Sequence, residues 1–152
     1  MRRFVRCNER GATIVEAAFV VPLLFLFIFG LIDIGLWEYQ STQASAAARD
    51  GARVGILKYL SADTVGSANN TAISNAVAAR LGGQSYTLTV TCLNEGDATT
   101  KACDSAARVD QDRIKVVVSW NYGSLTYVGQ FVAGNSHTVT GSAVMTIHGL
   151  PQ

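Results

Sequence analysis

Glu16 stands four residues after Ala12 in "RGATIVEAAFVVPLLFLFIFG" (residues 10–30), an apolar run long enough to cross a membrane. A carboxylate in such a run needs a cationic partner, since a charged side chain at a bilayer's centre costs roughly 2.5–3.5 kcal/mol on insertion scales. Hydrolysis of the peptide bond between Gly11 and Ala12 would create one. Ala12 would then carry a free α-ammonium on the helical face that it shares with Glu16, residues four apart being neighbours. The helix macrodipole also favours an acid near that end. The competing reading is that Glu16 snorkels to the headgroups. It explains the glutamate but leaves Gly11 without a role.

The other reactive side chains form no catalytic constellation. His137 and His148 lie in or beside the last β-compatible run, with no cysteine or second histidine at ligand spacing. No nucleophile elbow or glycine-rich phosphate loop occurs. Asp97, Asp104, Asp110 and Asp112 share one polar segment but lack the ligand order of a calcium loop, and read as solvated carboxylates. "NNT" (69–71) fits the glycosylation pattern, a short motif. No enzyme, cofactor or metal centre is expected.

Cys7 precedes the apolar run, whereas Cys92 and Cys103 follow it. The latter two are expected in an oxidising compartment, which permits a disulfide, the alternative being two free thiols. Closing so short a loop would contribute roughly 2–3 kcal/mol.

The elements that must position these groups follow from composition and period. Of the 152 residues 49% are hydrophobic and 15% charged, for a net charge of +1. Soluble domains carry about 25% charged residues. Neither a basic tract nor aromatic–basic interleaving is present, so nucleic acid gets no support. Between Ala12 and Trp37 only Glu16 and Asp33 are charged. These 26 residues would span about 39 Å as a helix, more than a hydrocarbon core requires. Transmembrane residues are expected at about 14–36. Arg2, Arg3, Arg6 and Arg10 precede the run, and the positive-inside rule puts the N-terminus in the cytoplasm. Trp37 and Tyr39 would mark the outer interface. "ASAAA" (44–48) also resembles a signal-peptide cleavage site, but "DIGLWEYQSTQ" separates it from the apolar core, so a retained helix is expected.

Helix-compatible sequence continues to Leu60. Ala44/Ala48 and Ala47/Gly51/Gly55 recur every four residues, a stripe that lets another backbone approach, either this chain's own head or another subunit. A second helix is expected after "SADT" (61–64), ending at Gly82-Gly83. Strands are expected at "SYTLTVTCL" (85–93), "RIKVVVSW" (113–120) and "SHTVTGSAVMTIH" (136–148), with "NYGSLTYVGQFVAGN" between the last two as a loop or short strand. The fold class is α+β: a long N-terminal helix, a second helix and a small antiparallel sheet.

"RGATIVEAAFVVPLL" resembles the N-terminus of TadE-like pseudopilins, minor pilins of tight-adherence (Flp-type) pilus systems. Gly11, Glu16 and Pro22 match the family's cleavage glycine, fifth mature residue and helix proline, and "ASAAARDGAR" (44–53) resembles its Ala/Arg-rich segment. Ala17 and Ala18 follow the glutamate where the family often has Phe. The resemblance implies a leader (1–11) removed by prepilin peptidase, a helix (12–60) anchored in the bacterial inner membrane, and a periplasmic head (61–152). It also implies partners: other pilin subunits, the assembly platform and membrane lipid, with no small-molecule substrate. Glu16 would dock on a neighbour's terminal amine and set axial register. Pro22 would loosen the helix by removing the hydrogen bond to the Ala18 carbonyl. The rival expectations are a type II secretion pseudopilin, an unprocessed bitopic protein with a binding head, and a secreted protein cut after Ala46 or Ala48.

Overall fold

A computed structural model describes residues 10–60, 71–94, 99–101 and 111–148. The first helix, α1 (Arg10–Leu60), has 51 residues and runs unbroken through Pro22, a length of about 76 Å. Its first half, from Ile14 to Ile34, is apolar on all sides apart from Glu16 and Asp33, and none of the most apolar window is buried within the protein. A helix satisfies its own backbone hydrogen bonds, and that suits it to a solvent without donors or acceptors. Among the described residues this is the one helix long and apolar enough to cross a membrane, which fits a single-pass membrane protein.

The second half of α1 belongs to the head. Beyond it come α2 (Thr71–Leu81), β1 (Thr87–Leu93), β2 (Thr100–Lys101), β3 (Arg113–Tyr122), α3 (Tyr127–Ala133) and β4 (His137–Thr146). The strands form one antiparallel sheet in the order β2-β1-β3-β4. The architecture is the expected α+β fold. Gly82 and Gly83 end α2 with positive φ angles of 60° and 94°, the left-handed backbone that favours glycine at a helix C-terminus.

Alternation builds a one-sided sheet. Leu88, Val90 and Cys92 of β1, Ile114, Val116, Val118 and Trp120 of β3, and Val139 of β4 are buried in one core with the inner residues of α1. Thr87, Thr89, Lys115, Asn121, Thr138, Thr140 and Ser142 face outward, as a half-solvated antiparallel sheet requires. From α2, Ile73 and Val77 complete the core. The Tyr86 hydroxyl ties that helix to the start of β1 by donating to the Ser74 carbonyl at 3.0 Å.

Three features depart from the sequence reading. The segment between β3 and β4, expected as a loop or short strand, contains the seven-residue helix α3. Its Thr126 cap, whose side chain accepts from the Gly129 N–H at 3.1 Å, lay unrecognised in a glycine-punctuated stretch. Asp112, expected to be solvated, is only 2% exposed where the chain enters β3. Neighbouring backbone bonds hold that entry: Gln111 N–H to the Ile147 carbonyl at 3.0 Å, and Ile147 N–H to the Asp112 carbonyl at 2.7 Å. β2 is a short edge strand in the segment read as a polar loop.

Candidate functional site

The first candidate region is the start of α1. Gly11 and Ala12 fall within its first turn, and nothing lies within 4 Å of a Cβ built on Gly11. Glu16 is exposed on the same helix, as are Phe19, Val20, Leu23 and Leu24 around and beyond it. This half of α1 therefore presents an apolar cylinder with one carboxylate near its end, open to lipid or to other helices.

The second region is the small-residue stripe. Ala44, Ala47, Ala48 and Ala52 are fully buried, and Gly51 and Gly55 are buried beside them. The stripe lies on this chain's own head. A Cβ on Gly51 would stand 2.9 Å from Val77 Cγ2 and 3.3 Å from Val116 Cγ1, and one on Gly55 would stand 3.4 Å from Ile114 Cγ2. The reciprocal glycine is Gly141 of β4, opposite Val118 in the register. A Cβ there would run into the Ala44–Ser45 peptide. Helix and strand thus approach backbone to backbone at Ala44, and the lack of a side chain on Gly141 permits it.

The third region was not singled out by sequence reasoning, which counted Asp33 only among the charges bordering the apolar run. Asp33 reaches from α1 to the segment before α3. Its Oδ1 accepts from the Leu125 and Thr126 N–H groups, both at 3.2 Å. The Thr126 hydroxyl donates to its other carboxylate oxygen while also accepting from Gly129 N–H. Gly129 is required here, since a Cβ would occupy the space of the Asp33 carboxylate. The available signal was a second acid in an apolar run, paired with a distant T-x-x-G in a capping position.

Beside this tether an apolar crevice opens between α1 and the head. Leu26, Phe27, Leu31 and Trp37 line one wall, and Tyr122 and His137 the other. Tyr122 and His137 pair across β3 and β4. Tyr122 Oη and His137 Nε2 are buried without a hydrogen-bond partner among the described residues. Burial, and secondarily the Asp33 charge, pushes the Tyr122 phenol above its ordinary value.

Cys92 is fully buried at the end of β1; its expected partner, Cys103, lies outside the described residues. So do the basic leader through Glu9, the asparagines of the "NNT" motif, and Asp97, Asp104 and Asp110. His148 is exposed just after β4.

Residues 11–53 match the family model of TadE-like protein. The N-terminal helix is TadE-like. The match begins at the glycine of the anticipated cleavage site, contains Glu16, Pro22 and Asp33, and stops two residues before Gly55, inside the stretch that packs on the sheet. No curated protein and no solved structure gives a significant match to the chain. The TadE-like segment associates the protein with Tad pili in general terms.

Proposed function

We propose that this protein is a TadE-like minor pilin, a non-catalytic structural component in the assembly of a tight-adherence (Flp-type) pilus. The observation that carries the reading is the TadE-like match over residues 11–53, which starts at Gly11 and takes in Glu16. In this reading prepilin peptidase cleaves between Gly11 and Ala12 on the cytoplasmic side of the inner membrane. The head stands in the periplasm, and the mature helix joins other pilin subunits at the assembly platform.

Glu16 then pairs with the new α-ammonium of its own chain or of a neighbour. The pair strengthens as the helices leave water and headgroups for an apolar bundle, because charges attract more strongly where the dielectric is low. The wholly exposed apolar surface of the first half of α1 supports such helix–helix packing. The small-residue stripe does not contribute to it, being covered by the chain's own sheet. A bridge from Cys92 to Cys103 belongs to the same reading, because the periplasm is oxidising and Cys92 lies at the end of β1 next to the segment that holds Cys103.

The test is the intact mass and N-terminal sequence of the protein recovered from membranes, with and without a prepilin peptidase. A chain starting at Ala12 only when the peptidase is active is the expected result. Retention of Met1 or Arg2 in its presence would overturn processing and favour an unprocessed bitopic protein. A start at Ala47 or Arg49 would reduce the apolar helix to a signal peptide.

A further inference from the structure

Among the described residues, the head's three most exposed large apolar side chains lie on one segment. Leu125 is 70% exposed, Tyr127 90% and Phe131 92%, all on α3 or the turn that precedes it. Such a cluster on a protein surface marks a contact with something apolar. Three observations identify the contact.

The first is depth. Asp33 pins this segment to α1, and twenty residues of helix separate Thr13 from Asp33. That rise is about 30 Å, the thickness of a bilayer's hydrocarbon core. With the N-terminal end of α1 at one face of the membrane, the tether holds α3 at the other face.

The second is charge. No Asp, Glu, Lys or Arg occurs anywhere after Lys115. The segment can therefore enter the headgroup–acyl boundary without desolvating an ion, the cost that keeps charged surfaces out of it.

The third is continuity. Phe27 and Leu31 of α1 are exposed on the membrane side of the tether, and Ile34, Trp37 and Tyr39 just beyond it. Aromatic residues with one polar end concentrate at this boundary. The crevice below α3 opens onto the same apolar surface. At that depth Tyr122 Oη and His137 Nε2 can bond to lipid esters or interfacial water.

We infer that α3 and the turn before it form a foot in the extracytoplasmic leaflet, with Leu125, Tyr127 and Phe131 in contact with phospholipid. The foot is an amphipathic surface contact, not a second span. It fixes how far the head stands from the bilayer and so resists extraction of the subunit. The inference rests on the membrane-spanning part of the preceding proposal and is independent of cleavage and of pilus assembly.

The test places the photo-crosslinker p-benzoylphenylalanine at Phe131, at Phe25 within the apolar helix, or at Thr89 on the outer sheet face. Each full-length chain is reconstituted into vesicles of phosphatidylethanolamine and phosphatidylglycerol, illuminated and weighed by mass spectrometry. Phospholipid adducts at positions 131 and 25 but not at 89 are expected, with Asp33→Ala lowering the yield at 131 and leaving that at 25 unchanged. Adducts at 25 alone, or adducts at 131 only to a second copy of the chain, would overturn the foot while the span stands. Lipid adducts at 89 as abundant as at 131 would mean that the head lies flat on the bilayer, which also overturns it. A lack of lipid adducts at 25 would remove the span itself, and the foot with it.

Discussion

The two halves of α1 are one continuous helix with opposite packing logic. From Ile14 to Ile34 most side chains are large, apolar and exposed, Glu16 and Asp33 being the charged exceptions. From Ala44 to Gly55 those facing inward are alanine or glycine, and they are buried. Bulk serves the first half, because lipid or a partner helix adapts its shape to any apolar side chain. The second half lies on a sheet whose own side chains fill the core, so contact requires its backbone to come close. A helix can therefore change from bundle-type to sheet-type packing without a break, simply by changing side-chain volume along its length.

Substituting the glycine that faces the second half and one carried by the exposed part of the helix gives the largest contrast. Gly141→Leu drives a side chain into the Ala44–Ser45 peptide, where backbone cannot yield. It is expected to destabilise the head by more than about 3 kcal/mol, above the usual range for overpacking. A Cβ on Gly35 would meet nothing within 4 Å, and Gly35→Leu is expected to leave head melting unchanged. Thermal unfolding and limited proteolysis in detergent micelles compare the two, and equal losses would break the distinction between the halves.

Truncation gives the next effect. Ile114 is fully buried against Gly55, and Ile114→Ala is expected to cost about 2–5 kcal/mol. Phe25→Ala, on a 51% exposed residue, is expected to leave the head within about 0.5 kcal/mol of its stability in micelles. Denaturant titration followed by the fluorescence of buried Trp120 reads both variants.

At the junction between the halves the effect becomes local. Asp33→Asn retains the shape but loses the charge that accepts from Leu125, Thr126 and the Thr126 hydroxyl. Amide hydrogen exchange is expected to accelerate over Leu125–Gly129 while the amides of β1 and β3 keep their protection. Faster exchange throughout the sheet would instead make Asp33 part of the head's global stability.

The smallest effect is expected at the surface pair between α1 and α2. Arg80 Nε lies 3.4 Å from Asp50 Oδ2, with both side chains substantially exposed. Asp50→Asn should change head stability by no more than about 1 kcal/mol, and less in high salt. A larger loss would show that charge, and not only small-residue packing, holds α2 on α1.

Local pattern made much of this architecture legible. The long apolar helix was readable because an uninterrupted apolar run of that length favours a structure that satisfies its own backbone bonds, and the three longer strands because alternating valines and threonines sort to two faces. Gly82-Gly83 marked a helix end through backbone freedom alone. The short helix α3 was not readable. Seven residues among glycines carry little periodicity, and Thr126 acts as a cap only because the segment is held in place from outside. Asp112 was misread because loop composition says nothing about which residue the fold draws inward.

The sequence by itself determined the apolar helix, its TadE-like beginning around Gly11 and Glu16, the order of the three longer strands along the chain and the existence of a small-residue stripe. These depend on residue type and spacing within a few turns, which short-range sterics and hydrophobicity read directly. Only the tertiary structure decided that the stripe meets Gly141 of the same chain, and that Asp33 grips a turn more than ninety positions away. It also decided that Leu125, Tyr127 and Phe131 face away from the core. Those outcomes are contacts between distant segments, fixed by how the sheet closes on the helix, and no local pattern encodes which glycine will face which backbone.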